Sequence, residues 1–354
     1  MIVTQDRAHH VPGKGFRNPW PGAAPHGFGD FLRWTLTERR RRRRRSGREA
    51  ARDRRRDPPP SEFPREAPSF ATPRAAPDVI TATWVGHSTF LLQIGGMNVL
   101  LDPVWSDRAS PVPFAGPRRH TAPGFPLEAL PPLDLVLVSH DHYDHLDEPT
   151  VRQLLGAHRS ARWLAPLGVG SWLERRGAKV VHELDWWERI GIDSLEITAT
   201  PAQHFSGRSL TGRNSTLWTG WSIRAGSGEN APSVFVAGDT GAHPEFSEIA
   251  RRLGPFDAAL LPIGAYDPRW FMRPVHMDPE DAVAAYGEMR AANGARALTF
   301  VAMHWGTFKL TDEPLDEPPV RARAAWEGAG YDPALLWIAR HGETRTLRSA
   351  GVSE

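Results

Sequence analysis

The sequence predicts a mixed α/β fold, of the α/β (α+β) class, from three observations. Near residue 78, strand-like runs adjoin across a tight turn, which indicates an antiparallel opening to a sheet. After residue 147, helix-like and strand-like runs alternate, which is typical of strands connected through helices. Several of the strand-like runs stop at histidine or aspartate. We therefore expect sheets that carry polar side chains at the ends of their strands.

The composition restricts the cofactor and the compartment. The 354 residues are 40% hydrophobic, which suffices for a sizeable core, and they include no cysteine. Disulfides and thiolate metal sites are thereby excluded, so any zinc must bind to histidine and carboxylate. The sequence has no apolar run of about 18 residues and no apolar signal segment at its N-terminus. We therefore expect a cytoplasmic protein.

Residues 1–77 form a predicted N-terminal arm rich in arginine and proline, and residues 78–354 form the predicted folded domain. The arm carries 18 Lys and Arg against 8 Asp and Glu, a net charge of +10, and the remainder carries −8. Its arginines include Arg39–Arg45, Arg48, Arg52 and Arg54–Arg56. Such a segment repels itself and is expected to be solvated and partly disordered. The alternative is attraction to nucleic acid or to phospholipid headgroups, with peripheral contact at the inner face of a membrane.

The folded domain is predicted to begin with three strands over Val79–Trp84, Phe90–Ile94 and Met97–Leu101. Gly95-Gly96 between the last two is a hairpin-turn signal. His87 lies in the turn before the second strand, where a histidine is as often an ordinary loop residue as a functional one. Further helix-like and strand-like runs follow over 150–157, 163–165, 169–176 and 179–182.

Four candidate metal ligands follow the apolar run that ends at Val138. His140 and His142 are two residues apart, so at a strand end both side chains can lean toward one ion. Asp144 and His145 follow a turn and can face a second ion. Imidazole and carboxylate in this pattern suit zinc, manganese or iron(II). The alternative, a polar loop that is rich in histidine and aspartate by chance, requires four specific residues to coincide.

Later strands end in the same way. Leu195–Thr200 leads to His204, Ser233–Ala237 leads to Asp239, and Ala297–Met303 leads to His304. Each of these residues alone is compatible with an ordinary loop position. Other runs over 217–223, 244–253, 258–263, 319–329, 335–338 and 344–347 complete the predicted strands and helices.

A long aromatic loop, Gly264–Met277, is predicted to line an apolar pocket. It ends at His276, just before Asp278, which has the character of a helix N-cap. Pro279 suits the first helical position. His276 is thus placed near a helix N-terminus, and an ordinary loop role is equally compatible with the sequence.

The strand-end residues supply enough ligands for two ions. The first set is His140, His142 and His204, the second is Asp144, His145 and His304, and Asp239 suits a bridging position. Two cations about 3.5–4 Å apart would lower the pKa of a shared water toward neutrality, so that hydroxide could attack a phosphoryl or carbonyl group. We predict two Zn²⁺ per chain, with Mn²⁺ or Fe²⁺ as alternatives.

The motif Ser139-His140-Asp141-His142-Tyr143-Asp144-His145 resembles that of the metallo-β-lactamase superfamily. The resemblance implies a four-layer αββα sandwich with a dinuclear metal site between the ends of the two sheets. Within the superfamily, residues 78–340 resemble the N-acyl-phosphatidylethanolamine-hydrolysing phospholipase D family. That resemblance rests on residues 139–147, 201–208, 238–241, 261–266, 268–272, 276–280 and 304–308.

The resemblance implies a phosphodiesterase that releases an N-acylethanolamine and phosphatidic acid. The seven ligands carry over one by one, with catalytic roles for Asp144, Asp239 and His276. Tyr143 and His276 match positions that contact the substrate headgroup and phosphate, and His87 is assigned to the substrate contacts beside the metal site. A phospholipid or another phosphodiester is therefore the expected partner, and no obligatory protein partner is implied.

Three other functions remain open from the sequence. A lactonase of phosphorylated sugar lactones would use a similar His87 and metal set. A metal-dependent nuclease would explain the arginine run, although the catalytic part carries −8. A basic-armed binding module with an inactive site would require the loss of a ligand, and all seven are present.

Overall fold

The computed structural model describes residues 7–44, 57–208, 212–228 and 230–348. The part of the predicted arm over 45–56, which holds Arg45, Arg48, Arg52 and Arg54–Arg56, lies outside the described residues. The described N-terminal part consists of β1 (His10–Val11), β2 (Gly15–Phe16) and α1 (Phe28–Arg44). It contacts the rest of the molecule at several points described below. The domain boundary at residue 77 stays a prediction.

A first sheet of seven strands follows in the chain, with helices between its later strands. The elements are β3 (Ile80–Gly86), β4 (Thr89–Ile94), β5 (Met97–Leu101), β6 (Leu135–Leu137), α2 (Glu148–Ala157), β7 (Arg162–Pro166), α3 (Gly170–Glu174) and β8 (Val181–Leu184). Gly95 and Gly96 both have positive φ, as the predicted hairpin turn requires.

The second sheet has the same design. Its elements are β9 (Arg189–Ile192), β10 (Leu195–Thr200), β11 (Gly220–Ala225), β12 (Ser233–Val236), α4 (Phe246–Leu253), β13 (Ala258–Pro262), α5 (Arg269–Met272), α6 (Pro279–Ala292), β14 (Thr299–Met303), α7 (Glu317–Gly328) and β15 (Leu336–Trp337). The last strand, β16 (Thr344–Arg348), returns to the first sheet beside β3.

The two sheets are built alike. Their strand orders are β16-β3-β4-β5-β6-β7-β8 and β15-β14-β13-β12-β11-β10-β9. In each sheet four consecutive strands pair antiparallel and the remaining pairs are parallel. Five of the six parallel pairs are connected through helices, and β5 and β6 are joined by the long segment 102–134, because a parallel return needs a long crossover.

Strand alternation divides the apolar residues into two layers of core. Leu135 and Leu137 of β6 pack into the cluster that also holds residues of the second sheet, whereas Val136 packs with Val151 and Leu154 of α2. Successive side chains of a strand point to opposite faces, so one face meets the other sheet and one meets helices. The predicted αββα sandwich is confirmed.

Some elements differ from the sequence prediction. β9 was not predicted, because it is only 4 residues long and includes glycine, which weakens a strand pattern. The loop Gly264–Met277 contains the short helix α5. The helix predicted over 169–176 is shorter, Gly170–Glu174. The predicted N-cap is confirmed, since the Asp278 side chain accepts a hydrogen bond from the backbone N–H of Asp281. None of the described helices is long and apolar enough to span a bilayer.

Candidate metal centre

The strand-end residues converge between the two sheets. β6 leads into the segment that holds His140 and His142, and three strands of the second sheet lead to His204, Asp239 and His304. All five residues lie beyond the carboxyl ends of their strands, which is where open α/β sheets place their sites. The sequence motifs thus meet in space although they are separated by up to 164 positions along the chain.

The first group consists of His140, His142 and His204, whose nitrogens lie close together. His140 Nε2 is 2.8 Å and His204 Nε2 is 3.2 Å from His142 Nδ1. Their donor atoms lie within 4.8 Å of one another. Three imidazole nitrogens that face one point are a typical arrangement for a cation.

The second group contains the other predicted ligands and one more histidine. His87, Asp144, His145 and His304 also have donor atoms within 4.8 Å of one another. Asp144 Oδ2 lies 3.6 Å from Nε2 of both His145 and His304. It also accepts a hydrogen bond from His87 Nε2 at 2.9 Å. His87 therefore orients the carboxylate of Asp144, and its contact with the substrate stays a prediction.

Asp239 lies between the two groups. Its Oδ2 is 3.1 Å from Nε2 of His145 and of His304. The same oxygen is 3.8 Å from His204 Nε2 and 3.9 Å from His140 Nε2. The carboxylate can therefore reach both groups, as a bridging ligand must.

Hydrogen bonds behind the histidines determine which nitrogen faces the site. His204 Nδ1 donates to the carbonyl oxygen of Val275 at 2.9 Å, and His145 Nδ1 donates to Asp102 Oδ2 at 2.8 Å. Ser139 Oγ donates to Asp102 as well, which leaves that hydroxyl to accept from His140 Nδ1. All three histidines consequently turn Nε2 toward the site.

Burial keeps the first group neutral. It lowers the pKa of His140 well below its usual value, that of His142 to about 3 and that of His204 to about 4. Neutral imidazole is the form that binds metal. The first group is therefore in the protonation state that metal binding requires.

The second group is dominated by its carboxylates. Burial disfavours the charged form of His145 and His304, but the nearby carboxylates Asp239 and Asp144 favour it more strongly. As a result the pKa of His304 is raised to about 9 and that of His145 well above its usual value. Burial likewise disfavours ionised Asp144 and Asp239, yet His145 holds the pKa of both well below the usual range. Without a metal, the positive charge between these carboxylates has to come from protons.

The residues fit divalent cations. His145 Nε2, His304 Nε2 and Asp239 Oδ1 are buried polar atoms that have no hydrogen-bond partner. An unpaired buried polar atom is costly, and a cation among these atoms would satisfy all three. The donors are nitrogen and oxygen only, which suits zinc, manganese or iron. The cluster could therefore hold metal in both groups.

His276 lies at the edge of the site. Its ring centre is 5.0 Å from that of His204, and its Nε2 is 3.9 Å from Asp239 Oδ2. Its Nδ1 is buried without a partner. Burial holds the pKa of His276 well below its usual value. A neutral imidazole in this place can donate a hydrogen bond to a ligand beside the metals.

Tyr143 is bonded to Arg208 rather than to a predicted metal ligand. Its hydroxyl donates to the carbonyl oxygen of Arg208 at 2.7 Å, and the Arg208 guanidinium lies 4.1 Å from its ring centre. Tyr143 lines a cavity of about 690 Å³ together with Trp172, Arg176 and Arg208. The cavity is large enough for a small ligand.

Two contributors to the site were not predicted. Asp102 ends the third strand and accepts from Ser139 and His145, and its φ of 39° is in the left-handed region. Its position after a buried strand is the same signal that marked Asp239. Asn18, in the N-terminal arm, bonds the backbone of His204. No sequence signal links residues so far apart.

Comparison with known proteins places this site in a family. The profile of the β-lactamase superfamily domain matches residues 97–305. A Mycobacterium tuberculosis protein is 45% identical over 269 residues, which cover 73% of this chain and 69% of its own length. N-acyl-phosphatidylethanolamine-hydrolyzing phospholipase D 1 of Caenorhabditis elegans is 42% identical over 248 residues, or 67% of each chain.

A solved structure agrees on the fold. A metallo hydrolase from the archaeon Ignicoccus hospitalis superimposes with a TM-score of 0.56 at 24% identity, over 76% of this chain and 98% of the archaeal one. Sequence profile, relatives and fold agree with the His/Asp cluster. The chain therefore belongs to the β-lactamase superfamily of metallo-hydrolases.

Proposed function

We propose that this metallo-hydrolase is a dinuclear zinc phosphodiesterase of the phospholipase D type, which cleaves N-acyl-phosphatidylethanolamine to an N-acylethanolamine and phosphatidic acid. The observation that carries the proposal is the position of Asp239, whose Oδ2 is 3.1 Å from a histidine nitrogen of the second group and 3.8 Å from one of the first. A carboxylate shared in this way suits two ions. The substrate class follows from the C. elegans relative.

The cavity beside Tyr143 brings guanidinium groups, carboxylates and aromatic rings together. Arg208 stacks on Tyr143 and on Trp172, at 4.1 and 4.7 Å from the ring centres. Arg176 lies 3.6 Å from the Trp172 ring centre. Arg176 also pairs with Glu148 Oε2 at 2.7 Å, and Asp107 and Asp147 line the cavity, so its charge is mixed. The aromatic rings beside Arg208 would offer apolar surface to a phosphodiester that carries acyl chains.

The chain's own residues have distinct roles in this proposal. His140, His142 and His204 would hold one ion, Asp144, His145 and His304 the other, and Asp239 both. His276 would donate a hydrogen bond to a non-bridging phosphate oxygen, and Tyr143 would border the headgroup. Metals bound here would activate water and withdraw charge from the phosphoryl oxygens. His87 would keep Asp144 oriented through their 2.9 Å hydrogen bond.

Product analysis in heavy-oxygen water tests the proposal. Zinc-loaded protein is mixed with N-acyl-phosphatidylethanolamine in detergent micelles, and the products are identified by mass spectrometry. We expect N-acylethanolamine and phosphatidic acid, with one heavy oxygen in the phosphatidic acid, because water attacks phosphorus. A protein that holds two metals and leaves this lipid intact would contradict the substrate, and sugar-phosphate lactones and nucleic acids would be tested next.

A matched pair of variants tests the bridging role. Asp239→Asn removes a buried carboxylate from the site, and Asp193→Asn removes an exposed one from the turn after β9. We expect Asp239→Asn to lose hydrolysis and metal content, and Asp193→Asn to keep both. Full activity in Asp239→Asn would contradict the dinuclear assignment.

A further inference from the structure

Four exposed apolar side chains gather on and beside α1. Phe31, Leu32 and Leu36 of α1 and Trp270 of α5 are 44%, 43%, 53% and 44% exposed. They are four of the seven large apolar side chains that are exposed in the described residues. We call these four residues the α1 surface. An exposed apolar group of this kind indicates an interaction site.

The opposite side of α1 is fixed to the domain. Trp34 Nε1 donates to Asp312 Oδ2 at 2.6 Å, and the Trp34 ring centre lies 5.1 Å from that of Phe271 in α5. Leu32 and Leu36 are four residues apart and share one face of the helix. The helix is thus held by one side while its leucines remain exposed.

The charge next to these apolar residues is positive. The guanidinium of Arg33 lies 5.2 Å from the Trp270 ring centre. From Leu36 the helix continues to its end at Arg44, and its last six residues are all arginine. A helix that combines exposed leucine and aromatic side chains with arginine matches an interfacial membrane helix. Clusters of basic residues bind anionic headgroups.

We propose that the α1 surface docks on an anionic phospholipid bilayer. Its apolar side chains enter the headgroup region, and the arginines of α1 meet the lipid phosphates. Nucleic acid would pair with the arginines but would not bury Leu32 and Leu36. The exposed apolar residues therefore favour a lipid partner. The proposal concerns a surface and holds whatever lipid the metal site hydrolyses.

The docked surface is connected to the metal site. Trp270 and Arg269 are neighbours in α5, and Arg269 Nη1 donates to the carbonyl oxygen of His276 at 2.8 Å. On the other side of α5, the Phe271 ring stacks 5.3 Å from that of His26. Docking would therefore bring the segment that carries His276 toward the bilayer.

Vesicle flotation of the full chain tests the inference. Vesicles of phosphatidylcholine alone, and of phosphatidylcholine with phosphatidylglycerol, contain no N-acylated lipid, so the result is independent of hydrolysis. We expect binding that requires phosphatidylglycerol and weakens with salt, because salt screens the attraction between arginines and anionic headgroups. Equal binding to both vesicles, or to neither, would overturn the proposal.

Two matched variants locate the binding surface. Leu36→Glu and Val320→Glu each add one negative charge at an exposed helix position, 53% and 61% exposed in α1 and α7 respectively. Loss of one buried leucine corresponds to about tenfold in affinity. We expect Leu36→Glu to weaken binding by at least that factor and Val320→Glu to change it little, with both variants folded by circular dichroism.

Three outcomes would assign the surface differently. If Leu36→Glu and Val320→Glu bound the anionic vesicles equally well, the α1 surface would not be the lipid contact. Tight binding of double-stranded DNA that competes with vesicles and survives Leu36→Glu would favour nucleic acid. A dimer that Leu36→Glu converts to a monomer in analytical ultracentrifugation would make a second copy of the chain the occupant.

Discussion

The side-chain amide of Asn18 bonds both backbone groups of His204. Asn18 Nδ2 donates to the carbonyl oxygen of His204 at 2.9 Å, and the His204 N–H donates to Asn18 Oδ1 at 3.1 Å. Asn18 Nδ2 also donates to the carbonyl oxygen of Ala23 at 2.7 Å. A residue of the N-terminal arm therefore holds a predicted metal ligand in place.

Asn18→Ala should weaken metal binding without removing a ligand. The variant loses both bonds to His204, whose Nε2 then has more freedom relative to His140 and His142. Groups that orient a ligand affect metal affinity by about 10- to 100-fold, and we expect the lower end of that range because Val275 still fixes the ring. The measurement is competition for zinc with a chromogenic chelator.

Two further variants separate positioning from general damage. Arg17→Ala removes the neighbouring side chain, which bonds only the carbonyl oxygen of Ala8 among the described residues, and should bind zinc normally. Asn18→Asp keeps the acceptor for the His204 N–H and should fall between Asn18→Ala and the original protein. Equal affinity in all of these proteins would show that Asn18 does not position His204.

The sequence was sufficient to predict the parts of the site that follow from local pattern. His140, His204 and His304 each come after an apolar strand-like run, and a strand end delivers its next polar residue to the edge of a sheet. The composition of the arm, in which arginine dominates, predicts a solvated segment. The contacts of that arm depend instead on partners far along the chain.

The arm's other contacts illustrate the same limit. His9 Nε2 and His10 Nε2 lie 2.6 and 2.7 Å from the two oxygens of Asp185, and the His9 ring stacks 4.2 Å from that of Trp186. The α1 surface likewise combines residues 31–36 with Trp270. Neither arrangement leaves a periodic or compositional trace, so local reasoning cannot anticipate either of them.

Gly264→Ala should disturb the metal site through sterics alone. A Cβ at this position would overlap with the carbonyl oxygen of His304. His304 already has a φ of 61°, in the left-handed region, so moving its backbone away would add to a conformation that is already strained. We expect a loss of about 2–4 kcal/mol in unfolding free energy, together with reduced metal content.

Gly191→Ala provides the matched comparison. A Cβ on Gly191, in β9, would meet no atom within 4 Å, so this substitution should be nearly neutral. Denaturant melts and metal analysis of both variants make the test. A Gly264→Ala protein as stable and metal-rich as Gly191→Ala would contradict the close approach of the two chain segments.

His243 should make the protein sensitive to acid. Its ring stacks between Trp20 and Phe246, and burial lowers its pKa from 6.5 to about 3. Below pH 6.5 this histidine is therefore protonated in the unfolded chain while it stays neutral in the folded protein. The unfolding free energy is therefore unaffected by the titration of His243 above pH 6.5, and it decreases progressively as the pH falls from 6.5 toward 3.

Replacing His243 by phenylalanine keeps a ring in the stack and removes the titration. Between pH 6.5 and pH 5 the original protein should lose about 2 kcal/mol more unfolding free energy than His243→Phe, since each pH unit corresponds to about 1.4 kcal/mol. Parallel acid dependence in the two proteins, measured by urea melts, would show that His243 titrates normally.

Asp102→Asn isolates the charge behind His145. Asp102 accepts three hydrogen bonds, from Ser139 N at 2.7 Å, from Ser139 Oγ at 2.7 Å and from His145 Nδ1 at 2.8 Å. An amide cannot accept all three, because its NH₂ group would face a donor. Asparagine tolerates the φ of 39° at this position, so the backbone should not be strained.

We expect Asp102→Asn to lower zinc affinity by about 10- to 100-fold, because the tautomer of His145 is no longer fixed and its basicity falls. Asp193→Asn is the control, since Asp193 also has positive φ, 51°, but bonds Arg162 at the surface. Chelator competition on both variants gives the comparison. If Asp102→Asn bound zinc as tightly as Asp193→Asn, the Asp102 carboxylate would have no part in orienting His145. The packing around the ring alone would then hold His145 Nε2 toward Asp239.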